Sequence, residues 1–161
     1  MREILVATKN EHKTIEFKKM LEPLGYKVLT LFDFDEFPEI IEDKDTFKGN
    51  ALKKAEELSK YLNKDVIADD SGLEVFALNN DPGVYSARYA GEQRDSEANM
   101  DLLLKNLTNQ ANRKARFKTV IALILGGKEY LFEGICEGEI THVRSGAQGF
   151  GYDPIFVPAG Y

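Results

Sequence analysis

Cysteine is almost absent from this chain: Cys136 stands alone among 161 residues. A single thiol excludes an internal disulfide framework and suits a reducing compartment. Histidine is nearly as scarce, with only His12 and His142, which argues against a closed zinc site built on four soft ligands. Apolar runs are short throughout. None approaches the roughly 18 residues of a membrane helix, and the opening MREILVAT is too brief for a secretory signal. The protein is therefore expected to be soluble and cytoplasmic. Positive charge is in the minority, since 21 Lys+Arg against 27 Asp+Glu leave a net charge of −6. Binding to nucleic acid or to an anionic membrane through general electrostatics needs clustered positive charge, so neither partner is expected. Any metal would be a hard ion, magnesium or manganese, held by carboxylates and phosphates.

Familiar catalytic signatures are missing too. The only GGK, Gly126 to Lys128, has Ala122 where a phosphate-binding P-loop needs its first glycine. No G-x-G-x-x-G follows the first apolar run, and there is no G-x-S-x-G elbow. At about 150 residues per domain the length predicts one domain, or one body with two lobes.

What is present reads as strands alternating with helices, followed by a hairpin, which predicts an α/β fold with a mixed sheet. Glu3 to Thr8 is a short apolar run ending in a polar turn, read as a buried strand. Phe17, Met20, Leu21 and Leu24 give a helix face over Glu11 to Leu24, closed by Gly25. Tyr26 to Leu31 predicts a second strand, and the acidic stretch 32–45 mostly loop with a short strand. Phe47, Ala51, Ala55, Leu58 and Leu62 line a helix over Phe47 to Leu62, with Asp45 or Thr46 available as cap. Val66 to Asp69 predicts a strand that breaks at Asp70-Ser71-Gly72, with Leu73 to Leu78 extended. A third helix covers Ser96 to Leu107. Phe117 to Leu125 and Lys128 to Ile140 form a hairpin around Gly126-Gly127, and Tyr152 to Val157 a last strand.

Three segments carry candidate chemistry. Thr8-Lys9-Asn10-Glu11-His12-Lys13 joins the first strand to the first helix, where α/β sheets bind ligands and a helix start favours anions. A lysine in the first helical turn opposes the helix dipole, so Lys9 and Lys13 are explained equally by a bound phosphate or by a solvated helix start softened by acids. Asp69 and Asp70 end an apolar strand; successive strand residues face opposite ways, so they are not an acid/base couple. One would bind metal or activate water while the other bonds within the fold, unless both simply make an Asx turn. Glu42 could add a carboxylate, in competition with Glu39, Asp43 and Asp45. Helix spacing favours a charged outer face for Lys53 and Lys54, with the alternative that one of them turns inward. Finally, the glycines around Phe150 in Gly149 to Pro154 would free a ring for base stacking or let it plug the core.

Taken in order, these blocks resemble the inosine triphosphatase family, the XTP/dITP diphosphatases that remove non-standard purine nucleotides. The matching stretches are LVATKNEHK (Leu5 to Lys13), TFKGNALKKA (Thr46 to Ala55), ADDSGL (Ala68 to Leu73), PGVYSARYAG (Pro82 to Gly91), ARF (Ala115 to Phe117) and GFGYDPIF (Gly149 to Phe156). The resemblance implies a twisted mixed β-sheet with flanking helices, two lobes around a nucleotide-binding cleft, and a homodimer. It implies hydrolysis of ITP, dITP and XTP to the monophosphate and pyrophosphate, with magnesium, or manganese in its place. Thr8, Asn10 and Lys13 would be the phosphate loop and Lys54 a second phosphate contact. Asp70 would be the catalytic carboxylate and, with Glu42, the metal ligand. Ser71 would lie beside the substrate, and Phe150, Gly151, Tyr152 and Asp153 would take the base. Two departures stand out. Gly49 replaces the Glu that would complete a capping box with Thr46, which is expected to weaken the helix more than the chemistry. The family also continues into a Lys and a Ser-His-Arg motif that contact the base, with no counterpart here, so residues 1–161 are expected to be a diphosphatase domain truncated at its end. The alternatives to turnover of these purines are nucleotide binding without turnover, or a related diphosphatase with other nucleotide substrates.

Overall fold

In the computed structural model, which describes residues 2–8, 11–91, 93–144 and 152–159, strand β1 (Arg2–Val6) buries three consecutive side chains, Ile4, Leu5 and Val6. Burial on both faces is the mark of an interior parallel strand, and β1 pairs in parallel with β2 (Tyr26–Thr30) on one side and β3 (Asp65–Val75) on the other. Strand neighbours follow the order β2, β1, β3, β5 (Lys114–Leu125), β6 (Lys128–Ile140), β7 (Phe156–Pro158), with the two-residue β4 (Asp81–Pro82) on β3. The β3–β4 and β6–β7 pairs are antiparallel. The sheet is mixed and carries helices, so the α/β expectation holds. Gly126 and Gly127 link β5 to β6 with φ of +55° and +81°, the two positive values that a two-residue hairpin requires and that other residues reach only with strain.

The chain forms two compact units. The first comprises Met1–Asp70 with Val120–Glu133 and holds α1 (Glu11–Leu21) and α2 (Phe47–Leu62). Here Phe17 of α1 packs on Ile4, Val6 and Ile67, with Leu21, Val28 and Ile121 around them. The second comprises Ser71–Thr119 with Gly134–Tyr161 and holds α3 (Ser96–Asn106). Its core joins Met100, Leu103 and Leu107 to Leu73, Val75, Ile140, Ile155 and Phe156, and Phe117 meets Phe156 edge to face at 4.6 Å.

Several sequence expectations need correction. The first helix stops at Leu21, and Glu22–Leu24 is a 3-10 turn containing Pro23, closed by Gly25 at φ +91°. Its buried stripe runs through Phe17, and Met20 and Leu24 are exposed at 57% and 72%. Proline cannot continue the α-helical ladder, so Leu24 never comes round to the inner face. The acidic stretch has no strand over 34–46; Leu31–Asp33 is a 3-10 turn in which Asp33 Oδ2 accepts from the Thr30 N–H at 2.7 Å. Strand β3 does not break at Asp70 but continues to Val75, because tertiary pairing overrides the turn-like composition of Asp-Asp-Ser-Gly. The final segment is a 3-10 turn over Asp153–Ile155, with Pro154 in its first positions, followed by β7. Gly149 to Gly151 of the glycine-flanked segment around Phe150 lie outside the described residues.

α2 occupies the expected residues, and the cap is Thr46, whose Oγ1 accepts from the Gly49 N–H at 2.9 Å. The missing capping-box Glu has a steric cause. A Cβ at position 49 would lie 2.8 Å from Lys44 Cβ and 3.0 Å from Thr46 Oγ1, so the chain before the helix folds back across a place only glycine leaves open. Gly49→Glu, which restores the box on paper, is expected to lower stability by about 1 kcal/mol instead of raising it. Thermal denaturation of the two proteins decides this, and a rise in melting temperature would overturn the steric account.

Candidate active site

In the first unit five charged residues and one amide lie on or beside the middle of β3, contributed by β3 itself, α1, α2 and the segment before α2. Lys13 enters from the first turn of α1 and its Nζ lies 2.6 Å from Asp69 Oδ2. Asp69 is nearly sealed, with 6% of its side chain exposed, and shares the face of β3 on which Ile67 packs against α1. The next residue, Asp70, turns to the other side, where Asn50 Nδ2 of α2 donates to its Oδ2 at 3.0 Å. The two-residue period of a strand thus sends adjacent carboxylates to different helices, as the sequence leads one to expect.

Glu42 reaches the site from the irregular segment before α2 and pairs with Lys54 Nζ at 2.8 Å. That segment is bound to the helix at several points. Lys53 Nζ donates to the Ile41 carbonyl at 2.7 Å and meets Asp43 Oδ1 at 2.8 Å, and the Lys44 N–H donates to Asn50 Oδ1 at 2.9 Å. The outer-face assignment of Lys53 and Lys54 from spacing is therefore corrected: their side chains are only 20% and 19% exposed, and each is folded onto an acid. Lys54 stands seven residues after Phe47, on the edge of the buried stripe.

Burial raises the pKa of Asp70 from 3.8 to about 6, with Glu42 and then Asp69 adding like charge, while the Asn50 hydrogen bond and the Lys54 ammonium oppose the rise. Asp70 therefore titrates close to neutrality, where a carboxylate serves as a proton acceptor. The upward push from Glu42 also shows that two carboxylates share one neighbourhood. A hard dication relieves that repulsion. Magnesium is normally held by one or two carboxylates together with substrate phosphates and water, and among the described residues no cluster of three or more His, Cys, Asp or Glu side chains forms a closed protein cage. Glu42 and Asp70 fit a magnesium shared with a phosphate chain.

The other expected residues fall as follows. Thr8, just past β1, is half-buried and its N–H donates to the Val6 carbonyl at 3.0 Å. Asn10, Phe150 and Gly151 lie outside the described residues. In the second unit, Ser71 Oγ accepts from Thr119 Oγ1 at 3.0 Å. Tyr152 is buried in the core, its hydroxyl donating to the Ser86 carbonyl at 2.7 Å; burial pushes its pKa far up, and Tyr89 adds to this. Asp153 is exposed at the start of its 3-10 turn. Sequence reasoning missed Asn50. The signal was available: Asn50 sits three residues after Phe47 and one before Ala51, a polar side chain inside an apolar stripe.

The Ham1 family profile matches residues 4–161. The chain belongs to the Ham1 family. It is 50% identical over 158 residues to the dITP/XTP pyrophosphatase of Flavobacterium johnsoniae, covering 98% of this chain and 82% of that one. With the dITP/XTP pyrophosphatase of Shouchella clausii it shares 55% identity over 159 residues, 97% of this chain and 80% of that one. Among solved structures, the Staphylococcus aureus Ham1 protein superposes with a TM-score of 0.89 at 45% identity, covering 96% of this chain and 80% of that chain. The Ham1 assignment agrees with the resemblance drawn from the motif blocks, and the superposition agrees with the α/β fold.

Proposed function

We propose that this chain hydrolyses dITP, ITP and XTP to the nucleoside monophosphate and pyrophosphate, and so clears non-standard purines from the nucleotide pool. The observation that carries the reading is the meeting of Glu42, Lys54 and Asp70 in a chain half identical to pyrophosphatases of that specificity. Water attacks the α-phosphorus, the bond to the α–β bridging oxygen breaks, and pyrophosphate leaves with that oxygen. Asp70 accepts the proton of the attacking water. Glu42 and Asp70 would hold magnesium, which supplies positive charge to the phosphate oxygens when bound; manganese suits the same donors. Lys13 and Lys54, held by Asp69 and Glu42, offset charge on the triphosphate, since positioning and neutralisation supply most of the effect in phosphoryl chemistry.

Thr8 and Asn10 complete the phosphate loop in this reading, and Ser71 with Phe150 to Asp153 takes the nucleoside, on the strength of the motif resemblance. A homodimer is proposed on the same ground, with support from Tyr130, Leu131 and Phe132 of β6, which are 43%, 40% and 55% exposed. A cytoplasmic setting is proposed from the lone Cys136; no helix among the described residues is long and apolar enough to cross a membrane.

The test is product analysis with dITP and XTP in the presence and absence of magnesium. Pyrophosphate is expected as the first product, strictly dependent on the metal. Orthophosphate with a nucleoside diphosphate would refute attack at the α-phosphorus, and nucleotide binding with no release of either would favour a binding protein without turnover.

A further inference from the structure

Asn50 is 2% exposed, and both ends of its amide are engaged by groups that belong to different parts of the chain. Its Oδ1 accepts from the Lys44 N–H at 2.9 Å and its Nδ2 donates to Asp70 Oδ2 at 3.0 Å. The orientation of the amide is dictated by the partners, because a backbone N–H can only donate and a carboxylate only accept. We propose that Asn50 is the positioning residue of the divalent-cation site, tying the segment that carries Glu42 to the carboxylate of Asp70. The inference rests on the reading of Glu42 and Asp70 as the metal ligands.

The chemistry of the position narrows it to an amide. Lys53 and Lys54 also hold residues 41–43 to α2, but they are cations directed at that segment, whereas Asn50 carries the link onward to β3. An aliphatic side chain would leave a backbone N–H and a carboxylate oxygen without their bonds in a buried place, and an acid would add a third negative charge beside Asp70. One neutral group that both donates and accepts satisfies the two sides at once. The bond to Oδ2 fixes the rotation of the Asp70 carboxylate, and the bond from Lys44 fixes the backbone two residues after Glu42. The separation of the two carboxylates is thereby set before any cation arrives. Partners that orient metal ligands without touching the metal are worth about 10–100-fold in affinity.

The test is titration of the metal-free full chain with Mn2+ alone, followed by the loss of the free-ion electron paramagnetic resonance signal. Asn50→Ala is expected to weaken Mn2+ binding about 10–100-fold. In turnover it raises the magnesium concentration for half-activation, while KM for dITP at saturating metal stays within about twofold, a split that a general packing defect would not produce. Gly49→Ala probes the same link without touching either side chain. Its Cβ would press on Lys44 Cβ at 2.8 Å and displace the N–H that Asn50 receives, so Mn2+ affinity is expected to fall about threefold or more. This second variant carries the test if Asn50→Ala does not fold. Should both folded variants bind Mn2+ as the parent does while Asp70→Asn loses it, Asn50 is a packing residue and the proposal is wrong. Should Asp70→Asn also bind Mn2+ unchanged, the fault lies instead in the metal assignment.

Discussion

Asp70→Asn is expected to abolish magnesium-dependent turnover, by about a thousandfold or more, and at the same time to stabilise the metal-free protein at neutral pH. Under the proposed function, the loss follows from removing the proton acceptor and one of two negative charges available to the cation. The gain follows from the raised pKa. Asp70 titrates at about 6 in the folded protein against 3.8 for an ordinary aspartate, chiefly because it is buried. Between those values the folded state binds more protons than the unfolded one, so stability falls as pH rises through the window. The penalty is absent below about pH 4 and complete above about pH 6. A shift of roughly two units corresponds to at most about 3 kcal/mol, and a neutral amide, whose carbonyl still accepts from Asn50, does not incur it. Urea unfolding in the presence of a chelator should therefore give a variant more stable by about a third of the full difference near pH 4.5 and by the full difference at pH 7.5. A variant weaker than the parent at pH 7.5 would mean that the ionised carboxylate supports the fold.

The second large effect is expected in the other unit, at Asn99. This α3 residue is 3% exposed and clamps residues 86–90: its Oδ1 accepts from the Ala90 N–H at 2.7 Å, and its Nδ2 donates to the Ala87 and Ser86 carbonyls at 3.0 and 3.4 Å. Ser86 passes the hold on, since its Oγ accepts from the Leu73 N–H at 2.8 Å and donates to the Gly83 carbonyl at 2.6 Å. Asn99→Ala strands buried backbone groups, at about 1–3 kcal/mol each. A total loss of about 3 kcal/mol is expected, lowering the melting temperature by roughly 6–12 °C for a domain of this size. A loss below about 1 kcal/mol would show that water replaces the amide.

The parts of the fold that were legible in the sequence are those where local chemistry and tertiary packing agree. α2 was legible because its apolar stripe and its last leucine point to one helix, with only the cap left open between Asp45 and Thr46. The Gly126-Gly127 hairpin was equally plain. β3 was not, because Asp-Asp-Ser-Gly has the composition of a turn and only pairing with its neighbours keeps it extended. Leu24 misled for the opposite reason: its spacing is helical, but Pro23 ends the helix before the spacing applies, whereas Met20 lies within α1 and is exposed all the same. In the site, strand alternation separated Asp69 from Asp70 without any structure. The choice of Glu42 among its acidic neighbours came from motif resemblance alone, and its pairing with Lys54 required the chain to fold back on α2. Asn50 was visible only as a polar residue out of place.

The separation of Asp69 from Asp70 makes the pairing of β3 an electrostatic matter as well as an apolar one. β3 is aligned with β1 so that Val6 stands opposite Ile67. A slip by one residue would turn every side chain of the strand to the other face. In one direction Asp70 would be delivered to Lys13 and α1, Asp69 would move back to the place of Ala68, and Ser71 would stand opposite Asn50. The protein would still possess both acids, yet the carboxylate tuned by burial would be sealed in an ion pair. A one-residue deletion between Ile67 and Asp69 thus carries Asp70 to the place of Asp69 and leaves Ser71, which has no carboxylate, facing Asn50.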